Sequence, residues 1–333
     1  MTAASKSAAA DRRSADGRPG AAKRPPAWIR AGDLGLLLKL PAAALIAGLL
    51  PPARWDEAAG RLDGLAGRLG TRVGRADPDK IAALIRGQDV AGSPEAIRKG
   101  LQRNVRLNQL QFVASWLPRG WPARIAVSGV EHVRHALDAG RGAVLWVAPL
   151  VFAPLVAKRA LHECGFAVHH LTRHNHGFSS TRFGVAVLNP IRTRIEDRYL
   201  AERITIPRGG QPTAAVRALA ERLAANKLVS VTFTDQGERL VEAPFLAGYL
   251  RTALGAAHLA HRSGAALLPA FALRTGADAF DVEIGPPLCP PAELDRDARM
   301  RAVVVAYADR LADRVRRRPD QFLWHAGLVR ERA

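Results

Sequence analysis

The chain reads as an α/β protein: a central, mostly parallel sheet with helices on both faces, preceded by a helical, membrane-seeking N-terminal region. Three observations predict this. From residue 125 onward, short β-rich runs alternate with amphipathic helical stretches, the pattern of a parallel sheet. One run, residues 142–148 (GAVLWVA), is apolar throughout rather than alternating, as a strand covered on both sides must be. Far upstream, residues 34–50 (LGLLLKLPAAALIAGLL) form a separate apolar block.

Residues 1–26 are rich in Ala, Ser, Gly, Pro and Arg without apolar periodicity, and read as a disordered basic tail. Residues 27–124 are helical by pattern. Within them the 34–50 segment falls short of the ~20 apolar residues that a spanning helix needs, and Lys39 and Pro41 interrupt it. It reads as an interfacial or membrane-inserting helix pair, with the basic tail on the cytoplasmic side. A buried core helix is the competing reading. Ser93-Pro94-Glu95 is a helix start, with Ser as cap and Pro in the first turn, for a helix running over 96–117. The third region, 125–328, is the α/β domain. Strands are expected over 142–148, 166–171, 204–206, 228–234, 265–274 and 279–284. Helices are expected over 150–163, 178–188, 213–225, 256–262 and 292–318.

Composition narrows the class of partner. With 333 residues, 48% hydrophobic and 24% charged, the chain has ample material for a folded core. Its net charge of +19 comes from seven lysines and 42 arginines against 30 acidic residues. That balance suits an anionic partner such as lipid headgroups or an acidic carrier protein. Nucleic acid is not expected, because only 6% of residues are aromatic and no basic-aromatic stripe appears. Two cysteines without C-x-x-C spacing give neither a disulfide framework nor a zinc site. No metal or other cofactor is expected.

Catalytic motifs are sparse. None of the ten histidines is followed five residues later by an acidic residue. The chain has no G-x-S-x-G elbow and no phosphate-binding glycine loop. Five histidines crowd residues 162–176, among them His174 and His176 beside Arg173. They offer a general base in principle; hydrogen-bonded or solvent-facing loop histidines are the plainer reading.

Other landmarks fall in a recognisable order. Thr234-Asp235-Gln236 ends a strand, Glu242-Ala243-Pro244-Phe245-Leu246 follows, and residues 255–272 read GAAHLAHRSGAALLPAFA. The chain closes with Pro319-Asp320-Gln321-Phe322-Leu323-Trp324-His325. This resembles the acyltransferase domain of the lysophospholipid acyltransferase superfamily, and most of all the lipid A biosynthesis (lauroyl/myristoyl) acyltransferases, over residues 125–328. In that family an acidic residue ends one strand, a Pro-Phe loop follows, a small-residue helix crosses back and a proline-bearing strand closes the site.

The resemblance implies transfer of a fatty acyl group from acyl carrier protein or coenzyme A to a hydroxyl of an anionic lipid. It places the protein at the cytoplasmic face of the bacterial inner membrane, peripheral or monotopic. It also assigns substrate-binding roles to Arg173, Arg192, Arg194, Asp235 and Gln236, with Pro269 shaping the acyl groove. Its His-x-x-x-x-Asp/Glu dyad, however, falls on Pro149 and Pro154, which have no titratable side chain. The expectation is therefore either a divergent acyltransferase, with His174 or His176 as substitute base, or a catalytically inactive relative that binds lipid or acyl carrier. No other histidine–carboxylate pair is expected near the two prolines.

Overall fold

A computed structural model of the protein describes residues 27–68, 76–208, 212–237, 239–325 and 327–331. The basic tail expected over 1–26 lies outside them. Four helices come first: α1 (Ala31–Leu49), α2 (Pro52–Arg68), α3 (Pro78–Ile85) and α4 (Pro94–Ala114). α4 begins where the sequence places its cap, with Ser93 Oγ accepting from the Ala96 amide at 3.3 Å and Pro94 in the first turn.

The apolar block is one continuous helix of 19 residues with Pro41 inside it, not a pair. A proline removes a single N–H, and packing against α2 and α4 holds the two halves in line. At 1.5 Å per residue α1 is roughly 28 Å long. Its stretch Gly32–Leu49 has a mean hydropathy of 1.6 and is the one described helix long and apolar enough to cross a membrane by length and composition. Only 6% of that stretch is buried, and Leu34, Leu45 and Leu49 point to solvent at 50%, 62% and 75% exposure. Its other side is docked: Asp33 accepts from Thr181 Oγ1 at 2.7 Å.

The α/β part runs β1 (Arg124–Ser128), α5 (Val130–Asp138), β2 (Ala143–Val147), α6 (Ala153–Glu163), β3 (Val168–Arg173), α7 (Asn189–Asp197), β4 (Glu202–Ile206), α8 (Thr213–Ala224) and β5 (Leu228–Thr232). It continues with β6 (Leu240–Phe245), β7 (Gly248–Ala253), α9 (Gly255–Ser263), β8 (Ala266–Arg274), β9 (Ala279–Ile284), α10 (Arg296–Arg317) and β10 (Val329–Glu331). Seven strands form the main sheet in the order β1-β9-β8-β2-β5-β3-β4. Every neighbouring pair is parallel except β8 with β9. β2, apolar throughout, lies between β8 and β5 and is buried at all five residues.

Helices cover both faces. On one, Tyr307 of α10 packs with Trp146, Phe233 and Phe271, ring centroids 4.4–5.9 Å apart. On the other, α6 lies over Leu145, Val147, His170 and Ser230. The helix expected over 178–188 is only a five-residue π-turn, Gly184–Leu188, that runs into α7. The Pro-Phe loop is not a loop. Pro244 and Phe245 sit in β6, which pairs antiparallel with β7 in a three-stranded sheet, β10-β7-β6. Residues 240–245 alternate outward and inward, the period of a strand, and β6 is an edge, where a missing amide costs no ladder bond.

Candidate functional site

The parallel strands β2, β3 and β5 end together on one side of the sheet. Pro149 follows β2 and is buried. Its carbonyl accepts from the Leu323 amide at 3.1 Å, and the Val151 amide donates to the Gln321 carbonyl at 2.9 Å. Leu150 and Phe322 form a bridge between these segments. The buried Gln321 side chain is bonded at 2.8 Å to both the amide and the carbonyl of Arg274, at the end of β8. The C-terminal segment is thereby laced across the ends of β8 and β2, over Pro149. Pro154 sits in the first turn of α6, where an N–H would be spare, as expected from its ring.

One helical turn beyond Pro154 the character changes. Lys158 is almost fully buried and reaches Glu196 of α7 at 2.5 Å. Glu196 is completely buried and gathers three further partners: His176 Nε2 at 3.0 and 3.1 Å, Arg192 Nε at 2.9 Å and Arg203 Nη2 at 3.1 Å. Burial alone would raise the Glu196 carboxyl, but the charge of Lys158, the hydrogen bond from His176 and the charge of Arg192 hold it well below the usual range. Burial pulls Lys158 down to about 8 despite that carboxylate. His176 is shifted below its ordinary value, burial outweighing the attraction of Glu196.

The chemistry of this knot follows from those states. An ionised carboxylate only accepts, so neutral His176 donates Nε2–H to Glu196 and keeps its Nδ1 lone pair. A neutral imidazole oriented by a carboxylate is what a general base requires. His176 retains 25% side-chain exposure, whereas Glu196 has none. The expectation of no other histidine–carboxylate pair near the prolines is therefore overturned. His176 and Glu196 are 20 residues apart, so no fixed-spacing search finds them. A second such pair, His169 with Glu202 at 2.8 Å, lies on β3 and β4, and Arg222 also binds its carboxylate.

Beneath α6, His170 Nδ1 lies 2.7 Å from Ser230 Oγ. This looks like a nucleophile and its base, but the cavity beside them, lined also by Pro154, Lys158 and Thr232, holds only about 10 Å³. That is room for a single water. Burial, then the charge of Lys158, keep His170 well below its ordinary value and hence neutral.

The remaining sequence-predicted residues scatter around this end of the sheet. Arg173 is exposed and donates to the Gln236 carbonyl at 3.2 Å. Asp235 lies against Gly327, where a Cβ would fall 1.7 Å from its Oδ2 and push the carboxylate aside. Arg192 is spent on Glu196 and stacks 5.1 Å over the Phe112 ring. Arg194 is exposed. The His174 amide donates to the Ile206 carbonyl, and its ring is held below its ordinary value by burial and then Arg208. Pro269 stands apart, buried in mid-sheet opposite Trp146. Neither the cavity beneath α6 nor a larger hollow where β2 and β8 begin joins Pro149, Asp235 and Pro269. Nor is any group of three His, Cys, Asp or Glu among them placed to hold a metal ion.

The model of the bacterial lipid A biosynthesis acyltransferase family matches residues 95–328, from the first turn of α4 to the segment that crosses Pro149. The chain belongs to that family. No curated protein matches it. As a lipid A biosynthesis acyltransferase-family protein, it has a lipid acyltransferase-type α/β fold. Membership accounts for α4 through the C-terminal strap; α1–α3 lie before the matched region.

Proposed function

We propose that this protein transfers a fatty acyl group from an acyl carrier protein or coenzyme A thioester to a hydroxyl of an anionic lipid, with His176 as the base. The observation that carries this is the His176–Glu196 pair, whose carboxylate is tied at 2.5 Å to Lys158, the residue one turn of α6 beyond Pro154. The acceptor oxygen attacks the thioester carbonyl while Nδ1 of His176 takes its proton. The C–S bond then breaks, and the departing thiolate recovers the proton from the imidazolium. Glu196, already ionised, holds the ring and offsets its transient charge. Arg173, exposed at the end of β3, is the cation free to meet the oxyanion or a lipid phosphate. Asp235 and Gln236 would line the same opening.

The work takes place at the cytoplasmic face of the inner membrane in this reading. The exposed apolar side of α1, with Trp28 at 68% and Val187 at 46% exposure, supports contact with lipid acyl chains. The excess of arginine suits an acidic carrier and anionic headgroups.

The test is turnover of an acyl-carrier or coenzyme A thioester with lipid acceptors in vesicles. His176→Ala should lower it by ~10²–10⁴-fold, the usual contribution of a positioned base, and His174→Ala should leave it within a few fold. Turnover untouched by His176→Ala would sink the assignment. A second reading rests on Pro149 and Pro154 themselves: neither can accept a proton, and an inactive relative would bind lipid or acyl carrier as an accessory protein. Saturable binding of acyl carrier with no turnover in the wild-type chain would decide for it.

A further inference from the structure

At the opposite end of the sheet, where β2 and β8 begin, a hollow of about 480 Å³ opens between α5, α9 and α10. Small side chains leave the space: Ala136 of α5 and Ala257 and Ala260 of α9 border it. Leu267, Met300 and Val303 supply larger apolar walls. Its volume falls within the range of small-molecule sites, which are mostly apolar with a few placed polar groups.

Two guanidiniums stand among those polar groups, beside His261. Arg141 and Arg299 both line the hollow, and no carboxylate does. Neither guanidinium has a hydrogen-bond or ion-pair partner among the described residues. Arg299 Nε is buried with its donor unsatisfied, a state native proteins seldom leave without an acceptor. Arg141 is laid over Gly264, whose φ of +68° is the turn conformation that favours glycine.

We propose that this hollow binds a single-chain fatty carboxylate, its tail along the alanine-lined floor and its head on Arg141 and Arg299. The charge argues for the head, since two free guanidiniums with no competing acid favour a planar carboxylate. The small-residue walls argue for one unbranched tail. The site lies at the far end of the strands from His176, so it is an additional ligand site, independent of the base assigned above.

Cys289 gives the test, because it is exposed on the rim while the chain's other cysteine, Cys164, sits at the end of α6. The full-length protein is alkylated with N-ethylmaleimide in the presence of laurate below its micellar concentration, and each cysteine is followed by peptide mass. Laurate should slow modification of Cys289 saturably and leave Cys164 unchanged. From octanoate to laurate, each added methylene should tighten half-protection by about fourfold. Dodecanol should protect about tenfold more weakly or worse, as should laurate on the Arg141→Ala/Arg299→Ala double variant. Ala260→Leu, which fills the floor, should abolish protection without touching the arginines. No protection of Cys289, equal protection of both cysteines, or equal protection by the alcohol would each overturn the proposal.

Discussion

The turn from Pro149 to Pro154 and the knot around Glu196 meet along α6, where Lys158 of the knot stands one helical turn beyond Pro154, and they are built on opposite principles. The turn is apolar and closed by backbone: Pro149 and Val151 are bonded to the C-terminal segment and no side chain in it titrates. The knot is all side chain: one buried carboxylate held by a lysine, a histidine and two arginines from α6, the loop after β3, α7 and β4. A buried carboxylate with four cationic or imidazole partners organises its surroundings strongly, because each partner removed leaves charge with nowhere to go.

The knot should therefore break far harder than the turn. Glu196→Gln leaves Lys158 buried without its anion and Arg203 with Asp197 alone, and should cost ~3–5 kcal/mol in urea unfolding. Lys158→Met together with Glu196→Leu should recover part of that loss, since a buried pair replaced whole by apolar groups is often near neutral. If Glu196→Gln unfolds within ~1 kcal/mol of wild type, the buried ion cluster is not the organising element that its geometry implies.

Acid should find the same region next. His170 is buried and neutral, with Ser230, Lys158, Glu196, His176 and Arg203 around it. Its folded pKa lies well below 6.5, so below pH ~6.5 the unfolded chain binds the extra proton. The stability tied to its neutral form is complete above that pH and is lost as pH falls, by about 1.4 kcal/mol per pH unit. His176, also lowered, adds to the slope; the carboxylate of Glu196 enters only below its unfolded value near 4.5. His170→Gln should remove about one proton's worth of slope between pH 6.5 and 5. An unchanged slope would mean that His170 is already protonated in the fold.

The frame was far more legible in the sequence than the knot. The all-apolar β2, the cap at Ser93 and the place of Pro154 in a first helical turn each follow from neighbours along the chain. The β6–β7 hairpin was missed although residues 240–245 alternate, because Pro244 reads as a breaker unless the strand is known to be an edge. The Glu196 cluster had no local signal at all. Lys158, His176, Arg192, Glu196 and Arg203 come together only when β3 and β4 pair and α6 packs on α7. Arg192 shows the limit most clearly: its position fits an oxyanion contact by resemblance, yet its guanidinium is committed to Glu196.

The smallest effect is expected at the turn itself, and it separates the two candidate places for a base. Pro154 is half-buried in the first turn of α6, so Pro154→Asp sacrifices no backbone hydrogen bond. It gives up the stiffness of proline, worth ~0.4–1 kcal/mol. In return it puts a negative charge at the helix N-terminus, worth ~0.3–1 kcal/mol, on the face that carries Lys158 four residues on. The net change in stability should stay within about 1 kcal/mol, measured by urea unfolding. Thioester turnover should also stay within a few fold, because an acid at this place has no histidine at Pro149 to orient. A rise of about tenfold or more with Pro154→Asp alone would mean that a base already stands beside the family position and lacked only its carboxylate. The His176–Glu196 pair would then be a structural knot, and the chemistry would belong to the turn after all.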